Sequence, residues 1–334
     1  MEMALIPAGS FQMGDSFGDG YSDELPVNTV AVSAFIMDRC EITKALWDEV
    51  ATWAAANGYD IGPGSAQGKA ADHPVWSVSW YEAVKWANAR SEKEGLGPCY
   101  TVDGTVYRTG QSDNPTCNWS ASGYRLPTEA EWEKAARGGG ERSRFPWNST
   151  NEIQHALANY HSTTDYVYDT SATRGYHPDY SSEPVPYISP VGNFAPNGYR
   201  LYDMGGDVME WCWDWYDDSY YTVSPDEDPR GPAVGMYRTR RGGSWFSLAF
   251  YCRVARRDYN SPYIEKPTLG FRLVRTAPRL CRLNGSWHGS AGGVVGWERA
   301  GKRSAPACAA SQLVCDVWLR CAQGAGALRR SSGG

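Results

Sequence analysis

The 334-residue sequence has no apolar run near the roughly 18 residues that a helix needs to cross a bilayer, so no helical membrane span is expected. Met1–Ser10 lacks a basic stretch followed by an apolar one, so no signal peptide is visible, although a chain whose leader had been removed would look the same. Cys40, Cys99, Cys117, Cys212 and Cys252 show no C-x-x-C spacing, which argues against a paired-cysteine zinc or thioredoxin-like site. There is no Gly-x-Ser-x-Gly turn and no phosphate-cradling glycine loop. His73, His155, His161, His177 and His288 are scattered without an i,i+4 pair, giving no support to a metal triad. Cationic charge is scarce over residues 1–278, which hold 24 Lys/Arg against 36 Asp/Glu, whereas 279–334 hold eight against two. An acidic body is a poor phosphate binder, so nucleic acid is not an expected partner.

What is present is aromatic: 15 Trp and 21 Tyr, with 36 Gly. So many rings demand a packed core and exclude disorder for most of the length. Three helices are expected. Between Thr43 and Ala56, Leu46, Val50, Trp53 and Ala54 share a face. A second begins at Ser79, with Glu82 completing a capping box, and runs to about Glu94; a third begins at Thr128 with Glu131 and ends at Gly138. Trp47, Trp86 and Trp132 on these helices are expected in the core. Thr29–Met37, Met236–Arg241 and Leu269–Val274 have the alternation of strands, and turn-forming residues interrupt the rest every few positions. The expectation is an α+β domain over 1–278 with little regular structure, followed by a basic Gly/Ala/Ser/Arg-rich segment, 279–334. That segment reads as a flexible appendage or as translation past a natural end. Cys99 and Cys117 flank a polar loop and are either paired or two reduced thiols.

Several blocks, in order, carry a resemblance: Ile6-Pro7-Ala8-Gly9-Ser10-Phe11-Gln12-Met13-Gly14, His73-Pro74-Val75-Trp76, Arg125-Leu126-Pro127-Thr128-Glu129, Asn197-Gly198-Tyr199, Leu201-Tyr202-Asp203-Met204, Arg241-Gly242-Gly243-Ser244-Trp245 and Leu269-Gly270-Phe271-Arg272. Together they resemble the formylglycine-generating enzyme (sulfatase-modifying factor) family across residues 1–278. The resemblance implies a loop-rich variant of the C-type lectin fold. The family's enzymes look like copper-dependent oxidases with two cysteines, separated by four intervening residues, after the Arg-Gly-Gly-Ser block. Here the first matching position is Ser247 and the second Cys252, and Met209 replaces a family tryptophan. Two thiolates suit soft Cu(I) and a hydroxyl does not. The expectation is therefore no copper and no enzymatic activity. The alternatives are a divergent oxidase using Cys252 beside Trp211 and Ser244, or a plain accessory scaffold.

Within about 241–275, Phe246, Ser247, Leu248, Phe250, Tyr251, Arg256, Asp258, Tyr259, Asn260, Ser261, Tyr263 and Ile264 follow neither period. They interrupt a framework of Arg241–Trp245, Cys252–Ala255, Pro262 and Leu269–Arg272. The pattern resembles the variable regions of proteins diversified by retroelements through mutation at adenines. All twelve residues are reachable from an asparagine codon by changing only its adenines; Glu265 and Lys266 are not. Function is accordingly expected to be display of a diversified surface, about 246–264, that binds a protein or cell-surface ligand. The resemblance implies a cell-surface or extracellular location, including a lipoprotein with its leader removed. An ordinary surface loop is the competing account. Finally, Asp203, Asp207 and Glu210 with the Gly205 carbonyl match a structural calcium site of the resembling enzymes, with Asn159 and Tyr160 matching part of a second. The alternatives are a solvated acidic loop or Glu210 paired with an arginine.

Overall fold

The computed structural model describes residues 2–182 and 184–277, so the segment 279–334 lies outside the described residues. Each expected helix starts where a hydroxyl can cap it. Helix α1 (Lys44–Ala56) is capped by Thr43, α2 (Trp80–Lys93) by Ser79 and α3 (Glu129–Ala136) by Thr128, the last two with reciprocal Glu82 and Glu131 contacts. The buried face of α1 is Trp47, Val50, Ala51 and Ala54, with Leu46 and Trp53 at its margin. Of the helix's two tryptophans Trp47 is the fully buried one, and it stacks on Trp86 of α2 (ring centroids 5.7 Å, interplanar angle 5°). Trp132 of α3 is buried in a second cluster with Met204, Cys212 and Val254.

The strands are short. In chain order they are β1 (Met3–Ile6), β2 (Gly9–Met13), β3 (Asn28–Val32), β4 (Phe35–Asp38), β5 (Tyr100–Val102), β6 (Thr105–Val106), β7 (Thr116–Cys117), β8 (Met209–Trp215), β9 (Arg238–Arg241), β10 (Asp258–Asn260), β11 (Leu269–Gly270) and β12 (Val274–Thr276). They form sheets β1-β4-β12, β10-β9-β8-β11 and β6-β5-β7 and the ribbon β2-β3, with β11 parallel to β8 and all other pairs antiparallel.

Two expected strands are each divided. Thr29–Met37 breaks at Ser33, whose N–H and hydroxyl donate to the Asp228 carboxylate at 2.7 and 2.6 Å. That anchor sends β3 to pair with β2 and β4 to pair between β1 and β12. Leu269–Val274 divides because Phe271–Leu273 crosses between sheets, its carbonyls accepting from Ile42 and Asp38 N–H at 2.9 Å. The five cysteines of the described residues are free thiols, Cys99 and Cys117 included.

Candidate functional site

The region 241–275 leaves β9 through Gly242 and Gly243, at φ 96° and 73°. A side chain on Gly243 would meet Cys252 Sγ at 2.7 Å and the Tyr251 carbonyl at 3.0 Å, so the turn requires glycine. Four buried arginines then pin the framework from inside. Arg241 donates to Glu133, Arg253 to Glu24, Arg257 to Glu129 and Arg272 to Glu210. These contacts hold the backbone of the segment without using its outward side chains.

Cys252 is buried, and burial pushes its thiol well above the usual range. Its Sγ lies 3.8 Å from the Leu248 carbonyl. The Ser247 hydroxyl accepts from Ser244 N–H at 3.0 Å and lies 3.0 Å from Ser244 Oγ. Ser247 and Cys252 thus bracket the Gly243–Ser244 link, but only one is a thiol, and the two-thiolate donor set that suits Cu(I) is not assembled.

The candidate ligand residues divide by exposure. Phe246, Tyr259 and Tyr263 are exposed; Leu248, Tyr251, Arg256, Asp258, Asn260, Ser261 and Ile264 are half-buried; Cys252–Ala255 between them are buried. Ser247 and Phe250 depart from the expected pattern, at 8% and 7% exposed. Ser247 is turned inward by its bonds to Ser244, and Phe250 is covered by Tyr21 and Tyr166 and by the Arg253 guanidinium 4.2 Å away. Asp258 pairs with Arg240 and accepts from Tyr259 N–H at 2.7 Å, while Asn260 accepts from Ser261 N–H at 3.0 Å.

Sequence reasoning missed the wall of this face supplied by residues 153–187. His161 N–H donates to the Ser247 carbonyl at 2.9 Å, and Tyr176 packs against His161 and Trp245. Nothing in their local sequence marks these residues, because only the tertiary fold brings them to the loop. Behind them the His155 and His177 rings lie 4.9 Å apart. His155 Nε2–H donates to the Tyr160 carbonyl at 3.2 Å and His177 Nε2–H to the His155 carbonyl at 2.8 Å. The Nδ1 atoms then accept from Thr173 Oγ1 at 2.6 Å and Asp179 N–H at 3.3 Å, so the neutral tautomers are fully used. Burial lowers both pKa values, and His177 lowers that of His155 further. The unfolded chain takes up these protons near pH 6.5 and the folded chain resists them, so stability present above that pH is lost as pH falls through it. The melting temperature should drop between pH 7.5 and 5.5, and drop less in His177→Asn; the same slope in both proteins would refute this.

The acidic group is built differently from the expected calcium set. Glu210 Oε2 accepts from Trp132 Nε1 (2.8 Å) and Arg272 Nε (2.7 Å), and its Oε1 accepts from Arg272 Nη2 (2.7 Å). The arginine alternative therefore describes Glu210, and among the described residues no three His, Cys, Asp or Glu side chains converge closely enough to hold an ion alone. The neighbourhood nevertheless holds buried oxygens without hydrogen-bond partners: Asp203 Oδ1, Asp207 Oδ2, Asn159 Oδ1 and both carboxylate oxygens of Glu41, a residue the sequence did not mark, whose Oε2 lies 3.9 Å from Arg272 Nη2. Burial raises Asp203 to about 6 and Asp207 to about 8, and, with Asp203 nearby, lifts Glu41 well above the carboxylate range. Orphaned hard oxygens beside a loop suit Ca²⁺, with carbonyls and water completing the shell.

Residues 1–277 match the FGE-sulfatase family, described as the sulfatase-modifying factor enzyme 1-like domain, and the chain belongs to that family. It is 33% identical over 297 residues to the formylglycine-generating enzyme of Streptomyces coelicolor, covering 81% of this chain and 88% of that protein. With the enzyme of the same name from Thermomonospora curvata it shares 35% identity over 299 residues, covering 81% and 92%. Among solved structures, Treponema denticola variable protein 1 superposes with a TM-score of 0.64 at 32% identity, covering 82% of this chain and 95% of that one. The α+β, C-type-lectin-like fold of the formylglycine-generating type follows. The expectation that the chain is not an enzyme is overturned, because relatives spanning four-fifths of it are named as enzymes. That expectation rested on Ser247 and Met209, and two side chains do not outweigh a likeness of this extent.

Proposed function

We propose that the face carrying Phe246, Tyr259 and Tyr263 binds a protein or other cell-surface ligand, and that its outward positions are diversified through adenine-directed mutagenesis by a retroelement. The observation that carries this is the division of 246–264 into outward side chains and a buried, arginine-pinned framework. The likeness to a structure named a variable protein supports it. Tyrosine and phenylalanine give large contact area at low entropic cost, and Ser, Asn and Asp give adaptable hydrogen bonds. Sequencing the DNA beside the gene tests the reading. A near-copy of codons 241–275 that differs mainly at adenines, next to a reverse transcriptase gene, is expected; its absence would sink the diversification.

The relatives' names favour a second reading on the same face, in which a cysteine-bearing peptide lies across it and is oxidised. Such chemistry would fall to Cys252, the single thiol of the 244–252 loop. Oxygen uptake with copper and a cysteine-bearing peptide, lost in Cys252→Ala, would support it.

Calcium belongs to this proposal as a brace, held by Asp203, Asp207 and the Asn159 side-chain oxygen, with Gly205 backbone beside them and water completing the shell. The ion would supply charge compensation to oxygens that burial otherwise penalises. Titrating Ca²⁺ into EDTA-treated protein should raise stability by about 2.7 kcal/mol at a hundredfold excess over Kd. An unchanged melt would count against the site.

A further inference from the structure

The exposed rings of the ligand face do not stand alone. Phe246 stacks on Tyr176 with centroids 6.1 Å apart and an interplanar angle of 27°. Tyr259 stacks on Tyr216 at 4.2 Å and 28°. Both partners come from outside 241–275, and both are held from behind. Tyr176 packs on Trp245 and Tyr187 at 5.7 and 4.9 Å. Tyr216 donates its hydroxyl to Asp23 Oδ2 at 2.7 Å, and its N–H to the Tyr237 carbonyl at 2.8 Å. Phe246 and Tyr259 are themselves 57% and 43% exposed, so each shows one side to solvent while the other rests on a fixed ring.

We infer that Tyr176 and Tyr216 are positioning residues of the ligand face, aromatic sockets that pre-order whatever ring occupies positions 246 and 259. The inference rests on the reading of 246–264 as the ligand-binding surface, and it adds where that surface carries its anchors. A ring already stacked has surrendered its rotamer freedom before the ligand arrives, so less is lost on binding. Offset or tilted stacking also fixes the direction in which the ring projects. A serine or asparagine at the same position makes no such stack and takes nothing from the socket. The sockets therefore favour stacked aromatic occupants at 246 and 259, while Tyr263 meets the buried Tyr81 edge-on at 5.0 Å and 61° rather than stacking on it. Specificity then comes from which of the two sockets is filled, from the ring at 263 and from the small polar residues around them.

The test uses the full chain displayed on yeast, with outward positions including 246 and 259 encoded by NNC codons. The library is selected for binding to hen egg lysozyme as the probe. From the binders, one set with Tyr or Phe at 259 and one with Ser or Asn there each receive Tyr216→Ala and, separately, Tyr216→Phe. Tyr216→Ala should weaken lysozyme binding about tenfold in the aromatic set and less than about twofold in the polar set. Tyr216→Phe, which keeps the ring and loses only the bond to Asp23, should preserve binding in both. The polar set also reports whether the variant folds. Equal losses in the two sets would show a merely structural role and overturn the inference, as would no loss in either. A library that yields no lysozyme binder overturns the reading of the face itself, and the sockets fall with it.

Discussion

Arg253→Ala should lower the free energy of unfolding by about 3–5 kcal/mol, read as a fall in the urea midpoint at unchanged slope. The Arg253 guanidinium donates to both Glu24 oxygens, at 2.9 and 2.8 Å, and its Nε donates to the Phe250 carbonyl at 3.1 Å. Arg253 is 1% exposed and Glu24 0%. Removing the cation leaves a buried carboxylate with no positive neighbour in contact, beside Asp19, whose oxygen is 3.5 Å from the same guanidinium. Lysine is a poor substitute, because a point charge cannot span two carboxylate oxygens. The double change Glu24→Leu with Arg253→Leu should recover much of the loss, since the cost lies in the orphaned charge rather than in the missing attraction. A single-variant loss below about 1 kcal/mol would place the pair with ordinary surface ion pairs and remove the argument that arginines fix this loop.

Framework and helices were legible in the sequence because their signals are local. Thr43, Ser79 and Thr128 each cap the helix they were expected to start, and a hydroxyl before a helix acts on its own N-terminus. Arg241, Arg253 and Arg272 were marked as fixed positions, but their partners Glu133, Glu24 and Glu210 come from up to 229 residues away and could not be named. The same distance hid the sockets. Tyr216 and Tyr176 read as ordinary tyrosines until the fold sets them under Tyr259 and Phe246. Glu41 is the clearest omission around the acidic loop. Its neighbours in sequence give no sign that it is buried near Asp203 without a hydrogen bond to either oxygen, its cationic neighbour being Arg272 at 3.9 Å. Strand division was equally invisible, because a single Asp228 carboxylate decides that Ser33 ends one sheet and not the other.

Phe250→Ala should destabilise the protein by about 3–5 kcal/mol, the range for truncating a packed phenylalanine. Phe246→Ala, Tyr259→Ala and Tyr263→Ala should each cost less than about 1 kcal/mol. All four are aromatic residues of one segment, and the sequence gives no ground for separating them. The fold does: the Phe250 ring sits 4.9 Å from Tyr21 and 5.8 Å from Tyr166, and two arginines, Arg253 and Arg256, lie over it at 4.2 and 5.6 Å. Its loss opens a cavity beneath the loop and strips the Arg253 guanidinium of its cover, so the deficit should couple to that of Arg253→Ala rather than add to it. The three exposed rings define the contrast. Replaced together, they should abolish binding of a ligand to this face while the urea midpoint barely moves, because each shows its outer side to solvent and leaves no void behind. If instead the triple variant melted as early as Phe250→Ala, those rings would be part of the core, and the surface they are taken to form would not exist.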